Sequence, residues 1–219
     1  MVEVKGRGKR AEKAGQTRQR IVAAARELFI ERGYGATTLQ DIANRAGVAV
    51  QTIYFTFGNK RTLLKELTDV SIGGDDEPLA TMDRPWFREA LAAGTADAQL
   101  RALVRGARDV LGRVAPIMDM LRTAAAIDPE IVELWPQGAD PRYVVYTTAA
   151  KTLVTKPDAG GEVSAEHAAD VLFGLLGPEL YLLFVRDRDW TPEQWEQWAY
   201  STLRSQLLAS DQRHRDTNK

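Results

Sequence analysis

Side chains able to make or break covalent bonds are few and scattered in this chain. There is no cysteine, which excludes disulfides, thiolate metal sites and cysteine nucleophiles. The two histidines, His167 and His214, stand far apart in sequence. No G-x-S-x-G, H-E-x-x-H, G-x-x-x-x-G-K or G-x-G-x-x-G pattern is present to assemble a nucleophile, a metal or a phosphate cradle. The residues therefore call for no cofactor and no metal, and a helical enzyme is a remote alternative. What they do allow is non-covalent chemistry with an anion. Residues 1–60 hold eleven Lys/Arg against five Asp/Glu, a net +6, whereas the remainder holds eighteen against twenty-five, a net −7. A chain end charged in this way suits a polyanionic partner. The acids Asp75, Asp76 and Glu77 read as a solvated loop in preference to a cation site.

The basic end contains "GVAVQTIYFTFGNK" (47–60), in which Gln51, Thr52, Tyr54, Thr56, Asn59 and Lys60 are the only polar side chains. Its surroundings read as short helices. A first helix from about Thr17 to Gly33 has Ile21, Ala24, Ala25, Leu28 and Phe29 at i, i+3, i+4, i+7 and i+8. A second begins at Thr38, where Thr38-Leu-Gln-Asp41 is a capping-box start, and Gly47 stops it. A third covers about Val50–Phe55, with Ile53 and Phe57 as core residues and Phe55 left undecided. A fourth follows Gly58-Asn59 with Leu63, Leu64, Leu67 and Val70 on one side. Two helices joined by a tight glycine turn are helix-turn-helix geometry, in which the second helix enters a DNA major groove.

The rest of the 219 residues, 44% hydrophobic and 27% charged overall, also reads as helix. No apolar run reaches the ~18 residues that span a bilayer, and no signal peptide follows the basic start, so the expectation is a cytoplasmic protein with no membrane partner. The Gly- and Pro-containing segment 71–85 reads as a linker. Beyond it, "PWFREALAA" forms a short helix and residues from about 100 a long one, which Pro116 kinks or splits. Asp128-Pro129, Asp140-Pro141 and Thr191-Pro192 are helix starts with proline at the first turn. Helices near 164–176 and 191–209 flank a shorter one in "GPELYLLFV". The fold class is all-α. The domains expected are a flexible basic arm over 1–16, a helix-turn-helix domain over 17–72, a helical domain over 85–210 and a polar tail over 211–219.

The segment "TRQRIVAAARELFIERGYGATTLQDIANRAGVAVQTIYFTFGNKRTLLKEL" resembles the DNA-binding domain of the tetracycline-repressor (TetR) family. The likeness is carried by Ala25, Leu28, Phe29, Gly33-Tyr-Gly35, Thr37-Thr38, Asp41-Ile-Ala43, Ala46-Gly-Val48, Thr52-Ile-Tyr54, Phe57 and Asn59-Lys60. It implies an N-terminal helix-turn-helix domain and a C-terminal helical domain for ligand binding and dimerisation. It implies that Val50, Gln51, Thr52 and Tyr54 form the start and outer face of the reading helix. Gln51 is then the candidate for a base edge and Val50 for a thymine methyl. Tyr54, Thr56 and Lys60 are candidates for phosphates, Thr38 offers another phosphate its hydroxyl and nearby amides, and Gln40 adds a polar contact. Two departures stand out. Leu39 replaces an arginine that reads bases in some relatives, and Ala49 replaces a frequent serine cap at a cost of about 0.5–2 kcal/mol. The arm residues Lys5, Arg7, Lys9, Arg10 and Lys13 suit a minor groove or phosphates.

The function implied is ligand-responsive transcriptional regulation, most simply repression. A homodimer would bind a palindromic double-stranded DNA operator and leave it when a small-molecule effector, apolar or aromatic, binds. A DNA-binding activator or an architectural protein without an effector is the alternative. Phe87, Met118, Leu121, Trp135, Tyr143, Tyr146 and Phe173 are the candidates for the pocket, with plain core as the competing reading. Ala168, Leu172, Trp195, Trp198, Ala199, Thr202 and Leu203 trace helical stripes suited to a dimer interface, unless they close the chain's own core.

Overall fold

A computed structural model of the chain describes residues 4–75, 79–126, 129–132 and 140–209. The elements in order are α1 (Val4–Arg32), α2 (Leu39–Ala46), α3 (Val50–Phe57), α4 (Lys60–Gly73), a 3-10 turn (Thr81–Asp83), α5 (Pro85–Ala92), α6 (Ala96–Ala125), α7 (Pro129–Val132), α8 (Pro141–Leu153), α9 (Ala165–Leu175), α10 (Pro178–Val185) and α11 (Pro192–Leu207). Among the described residues there is no strand, only an isolated bridge between Ala159 and Leu208. The all-α expectation holds. Helix α1 starts well before Thr17, because Ala, Lys, Glu and Arg propagate a helix without an apolar stripe to announce it. The expected 1–16 arm therefore lies largely inside a helix. Trp135, Asp76, Glu77, Asp128, His214 and the 211–219 tail lie outside the described residues.

The chain forms two units, and their boundary differs from the one expected. Residues 1–71 and 116–135 make the first; residues 72–115 and 136–219 make the second. The reason is the long helix α6. Pro116 does not split it; instead the apolar allegiance of the helix changes there. Ile117 and Leu121, with Ile131 of α7, join the core of the first unit. That core is the stripe foreseen for α1, together with Leu39, Ile42 and Ala43 of α2, Ile53 and Phe57 of α3, and Leu63, Leu64 and Leu67 of α4. Thr37 is fully buried among them, its hydroxyl shared between the carbonyls of Leu28 (3.2 Å) and Gly33 (2.9 Å).

The second unit packs the first part of α6 with α5, α8, α9, α10 and α11 around Phe87, Leu100, Leu103, Leu153, Leu172, Trp195 and Leu203. Polar side chains tie its helix ends. Lys156 donates to the last carbonyls of α5, at Leu91 and Ala93. The carboxylate of Asp158, distant in sequence, accepts from the first amides of α6, Ala96 (2.6 Å) and Asp97 (2.9 Å). Partial burial pushes that carboxyl up, but the amides of Asp97 and Ala96 prevail and hold it below its ordinary value. A carboxylate whose pKa is depressed by folding stabilises the protein above the unfolded pKa and ceases to do so as pH falls through the folded one. Asp158→Ala should therefore cost about 1–2 kcal/mol at neutral pH, as loss of a cap at a helix N-terminus does. Urea titrations of both proteins should show this gap closing below about pH 4.

One stretch departs from the expectation that no run is long and apolar enough to cross a bilayer. Ala165–Val185 spans 21 residues, and an 18-residue window within it has a mean hydropathy of 1.6. Pro178 and Gly177 divide it into α9 and α10, and its apolar residues Ala168, Ala169, Leu172, Leu176 and Leu182 are core of the second unit.

Candidate DNA-binding site

The turn between α2 and α3 depends on Gly47, which adopts φ 65° and ψ 43°, a left-handed conformation that costs a non-glycine residue about 1–2 kcal/mol. The amide of Gly47 returns to the carbonyl of Asn44 (3.3 Å), and that of Val48 to Ala43 (3.0 Å). These bonds end α2 and turn the chain straight into α3. At the other end of α2 the capping box is fully formed. The amide of Asp41 donates to the Thr38 hydroxyl (3.1 Å), while the amide of Thr38 (2.9 Å) and its hydroxyl (2.6 Å) donate to the Asp41 carboxylate. The hydroxyl bond, then the amide bond, keeps the Asp41 carboxyl below its ordinary value.

Helix α3 presents a clean outer face because its core residues are four apart. Ile53 and Phe57 are buried, and at about 100° per residue the opposite side falls to Gln51, Thr52 and Phe55. Gln51, Tyr54 and Phe55 are exposed, and Val50, Thr52 and Thr56 half-buried. Ala49 begins the helix without a side-chain cap, as its residue type dictates. Arg18 of α1 lies 5.0 Å over the Phe57 ring and pairs with Glu66 at 2.6 Å, holding α1, α3 and α4 together.

The structure sorts the candidate contacts. Gln51, Tyr54 and Gln40 are surface groups; one Gln40 amide hydrogen goes to Asn44 Oδ1 (2.9 Å). Four assignments need correction. The Thr38 hydroxyl gives its proton to Asp41, so what α2 offers an anion is its first-turn amides. The Thr56 hydroxyl gives its proton to the Thr52 carbonyl at 2.7 Å, which leaves it an acceptor and no phosphate donor. Val50 packs against the first unit's core, not fully outward. Lys60 turns inward: its ammonium donates to the carbonyls of Tyr34 and Thr37, each at 2.9 Å, and lies 4.1 Å above the Tyr34 ring. Residue type suggested a phosphate ligand; the turn after Gly33 offers the amine two backbone carbonyls as closer partners. Phe55, undecided from sequence, is 94% exposed. Its place two residues from both Ile53 and Phe57 was the signal that put it opposite the core.

In the second unit, Tyr143 donates to Asp170 (2.8 Å) and meets Phe173 edge-on at 5.6 Å, with the Arg142 guanidinium 4.9 Å over the same Phe173 ring. Tyr146 donates to the Leu176 carbonyl at 3.1 Å, and burial pushes its phenol far up. Phe87 is fully buried in the same core. Met118 and Leu121 belong to the first unit, and Leu121 is core there. The dimer candidates need a larger correction. Ala168, Leu172, Trp195, Ala199 and Leu203 have no exposed surface in the single chain, so they close its own core and have none to offer a partner. Trp198 and Thr202 remain half-exposed.

Comparison with known proteins agrees with this geometry. Residues 21–67 match the model of the bacterial regulatory proteins of the tetR family. The HTH-type transcriptional regulator TtgR of Pseudomonas putida is 47% identical over 58 residues, covering 26% of this chain and 28% of that protein. The match thus spans less than a third of that relative's length. The HTH-type transcriptional repressor BepR of Brucella suis is 25% identical over 178 residues, covering 75% of this chain and 78% of that one. Among solved structures, a transcriptional regulator from Saccharomonospora viridis in complex with choline superposes with a TM-score of 0.65 at 19% identity, over 90% of this chain and all of that one. The likeness to that structure is one of fold. With its capped α2, its glycine turn and its polar-faced α3, the segment over residues 21–67 is a DNA-binding domain of the kind found in the tetR family of bacterial regulatory proteins.

Proposed function

We propose that this chain is a cytoplasmic transcriptional regulator, acting as a repressor, that binds a palindromic DNA operator as a homodimer and releases it when a small apolar or aromatic effector binds. The observation that carries the reading is α3 itself: an eight-residue helix anchored by Ile53 and Phe57, with Gln51, Thr52 and Tyr54 facing out beyond a left-handed Gly47 turn. A helix so placed suits a major groove. The Gln51 amide fits an adenine edge there, while the hydroxyl of Tyr54, the amide of Gln40 and the first-turn amides of α2 suit phosphates. Two copies are needed because one such helix reads only a half-site. The outward side of α11, with Trp198 and Thr202, is the face we assign to the partner copy.

The second unit is the place for the effector. Tyr143, Tyr146 and Phe173 offer it aromatic surface edged by the Asp170 carboxylate and the Arg142 guanidinium, and the choline complex of a fold relative supports a ligand-holding role for this architecture. Release then follows if the effector favours a pair of recognition helices spaced differently from successive major grooves.

The test is selection of bound fragments from the organism's genome by the full-length chain. A short palindrome should be enriched, and Gln51→Ala should relax preference at one base pair per half-site, with about 1–3 kcal/mol of discrimination lost there. Enrichment without any common sequence would instead favour an architectural protein. Unchanged preference in Gln51→Ala would remove this residue from base reading.

A further inference from the structure

Phe55 is the most exposed large apolar side chain described, at 94% of its full surface. An exposed phenylalanine is unremarkable on a loop. Here it sits at the middle of α3's outward side, and it is four residues from Gln51, so the ring and the amide are neighbours on the helix surface. Tyr54 flanks them and is itself 55% exposed. The only other apolar residue at the start of this helix, Val50, is drawn against the core. Whatever α3 docks against meets the Phe55 ring first.

Resting on the DNA-binding reading above, we infer that Gln51 and Phe55 act together as a reader of one A·T pair: the amide takes the adenine edge and the ring covers the thymine C5-methyl. The chemistry is complementary in kind. In the major groove an A·T pair presents adenine N7 and N6–H₂ to hydrogen bonding and the thymine methyl to apolar contact, and cytosine offers no such methyl. A bidentate Gln and an adjacent aromatic ring match both features of the same pair. Burial of the methyl also removes ring surface from water, a contribution that needs no polar partner and no ion pair. Continuity with the Gln51 surface decides for DNA as the occupant of this apolar spot.

The experiment uses the full chain and the operator duplex recovered by genomic selection, in which each thymine in turn is replaced by deoxyuridine. This deletes one methyl and leaves every hydrogen-bonding group in place. One thymine per half-site should weaken binding of the unaltered protein about fourfold when its methyl is lost, the effect of one buried carbon. The same change should leave Phe55→Ala unaffected, and Phe55→Leu should keep part of the sensitivity. The position should coincide with the pair at which Gln51→Ala relaxes preference. Because Phe55 is almost wholly exposed, circular dichroism should show both variants folded. Equal losses in the unaltered protein and Phe55→Ala at every thymine, or no sensitive thymine at all, would overturn the inference while leaving sequence-specific binding intact. Failure of the unaltered chain to enrich any sequence would overturn the operator-binding reading and this inference with it.

Discussion

Trp195→Ala should lower the stability of the chain by about 3–5 kcal/mol, the range for deleting a buried aromatic side chain. Trp195 has no exposed surface and meets Tyr181 edge-on at 5.1 Å, in the core that α6, α9, α10 and α11 share. Deletion leaves a void between helices that cannot close without moving one of them. Its indole N–H finds no hydrogen-bond acceptor, so Trp195→Phe should be markedly milder: it loses ring volume but also removes a buried donor left unsatisfied. Trp198→Ala provides the contrast. Trp198 packs with Phe184 (4.5 Å between centroids) in a half-exposed cluster that also contains Trp190. Its loss should cost far less stability and should weaken self-association instead. Urea unfolding and sedimentation of the three variants separate these outcomes. A stable, monomeric Trp195→Ala would mean that this side chain belongs to a subunit interface and that its core assignment is wrong.

The Trp195 stripe also shows what sequence periodicity resolves. Spacings of three and four identified the apolar side of α11, and the capping box Thr191-Pro-Glu-Gln194 marked its start. Neither says whether an apolar side closes its own core or a partner's, because the physics of burial is the same. The α2–α3 unit was the most legible part. Its limits are written in local chemistry, namely the Thr38–Asp41 box, the obligate left-handed Gly47, and Ile53 and Phe57 four residues apart. Phe55, undecided from sequence, is placed on the outward side only by the structure, although the same arithmetic agrees with it. Long-range pairing was not legible. Leu121 continues the stripe of α6 without a break, yet it packs with the helix-turn-helix core. The change of partner at Pro116 leaves no mark in the period. Asp158 capping α6 and Lys156 capping α5 are contacts across more than sixty residues, which no local pattern encodes. Hydroxyls were misassigned for a related reason: Thr56 sits at a surface position, but its own helix supplies the acceptor.

Lys60→Met should lower the stability of the first unit by about 2–3 kcal/mol before any DNA is added. The ammonium ties the carbonyls of Tyr34 and Thr37 and covers the Tyr34 ring, and bonds from a charged donor are each worth roughly 1.5–3 kcal/mol, less where solvent screens them. Methionine keeps most of the stem and removes only the charge and its hydrogen bonds. The consequence for DNA is indirect but large. Residues 33–38 form the turn that presents the capped end of α2, and α2 in turn sets α3 through Gly47. Loosening that turn should reduce operator affinity through the population of correctly formed sites. A direct phosphate contact makes a different signature: stability of the free protein stays the same, and the slope of log affinity against log salt shrinks by about 0.9 for the one phosphate lost. Structural anchoring instead lowers the unfolding midpoint and leaves the salt slope as it was. Measuring both on one variant decides between them, and the two 2.9 Å bonds to backbone carbonyls favour the anchor. By the same reasoning Lys60→Arg should not restore the protein, since a planar guanidinium cannot replace a point charge converging on two carbonyls above a ring.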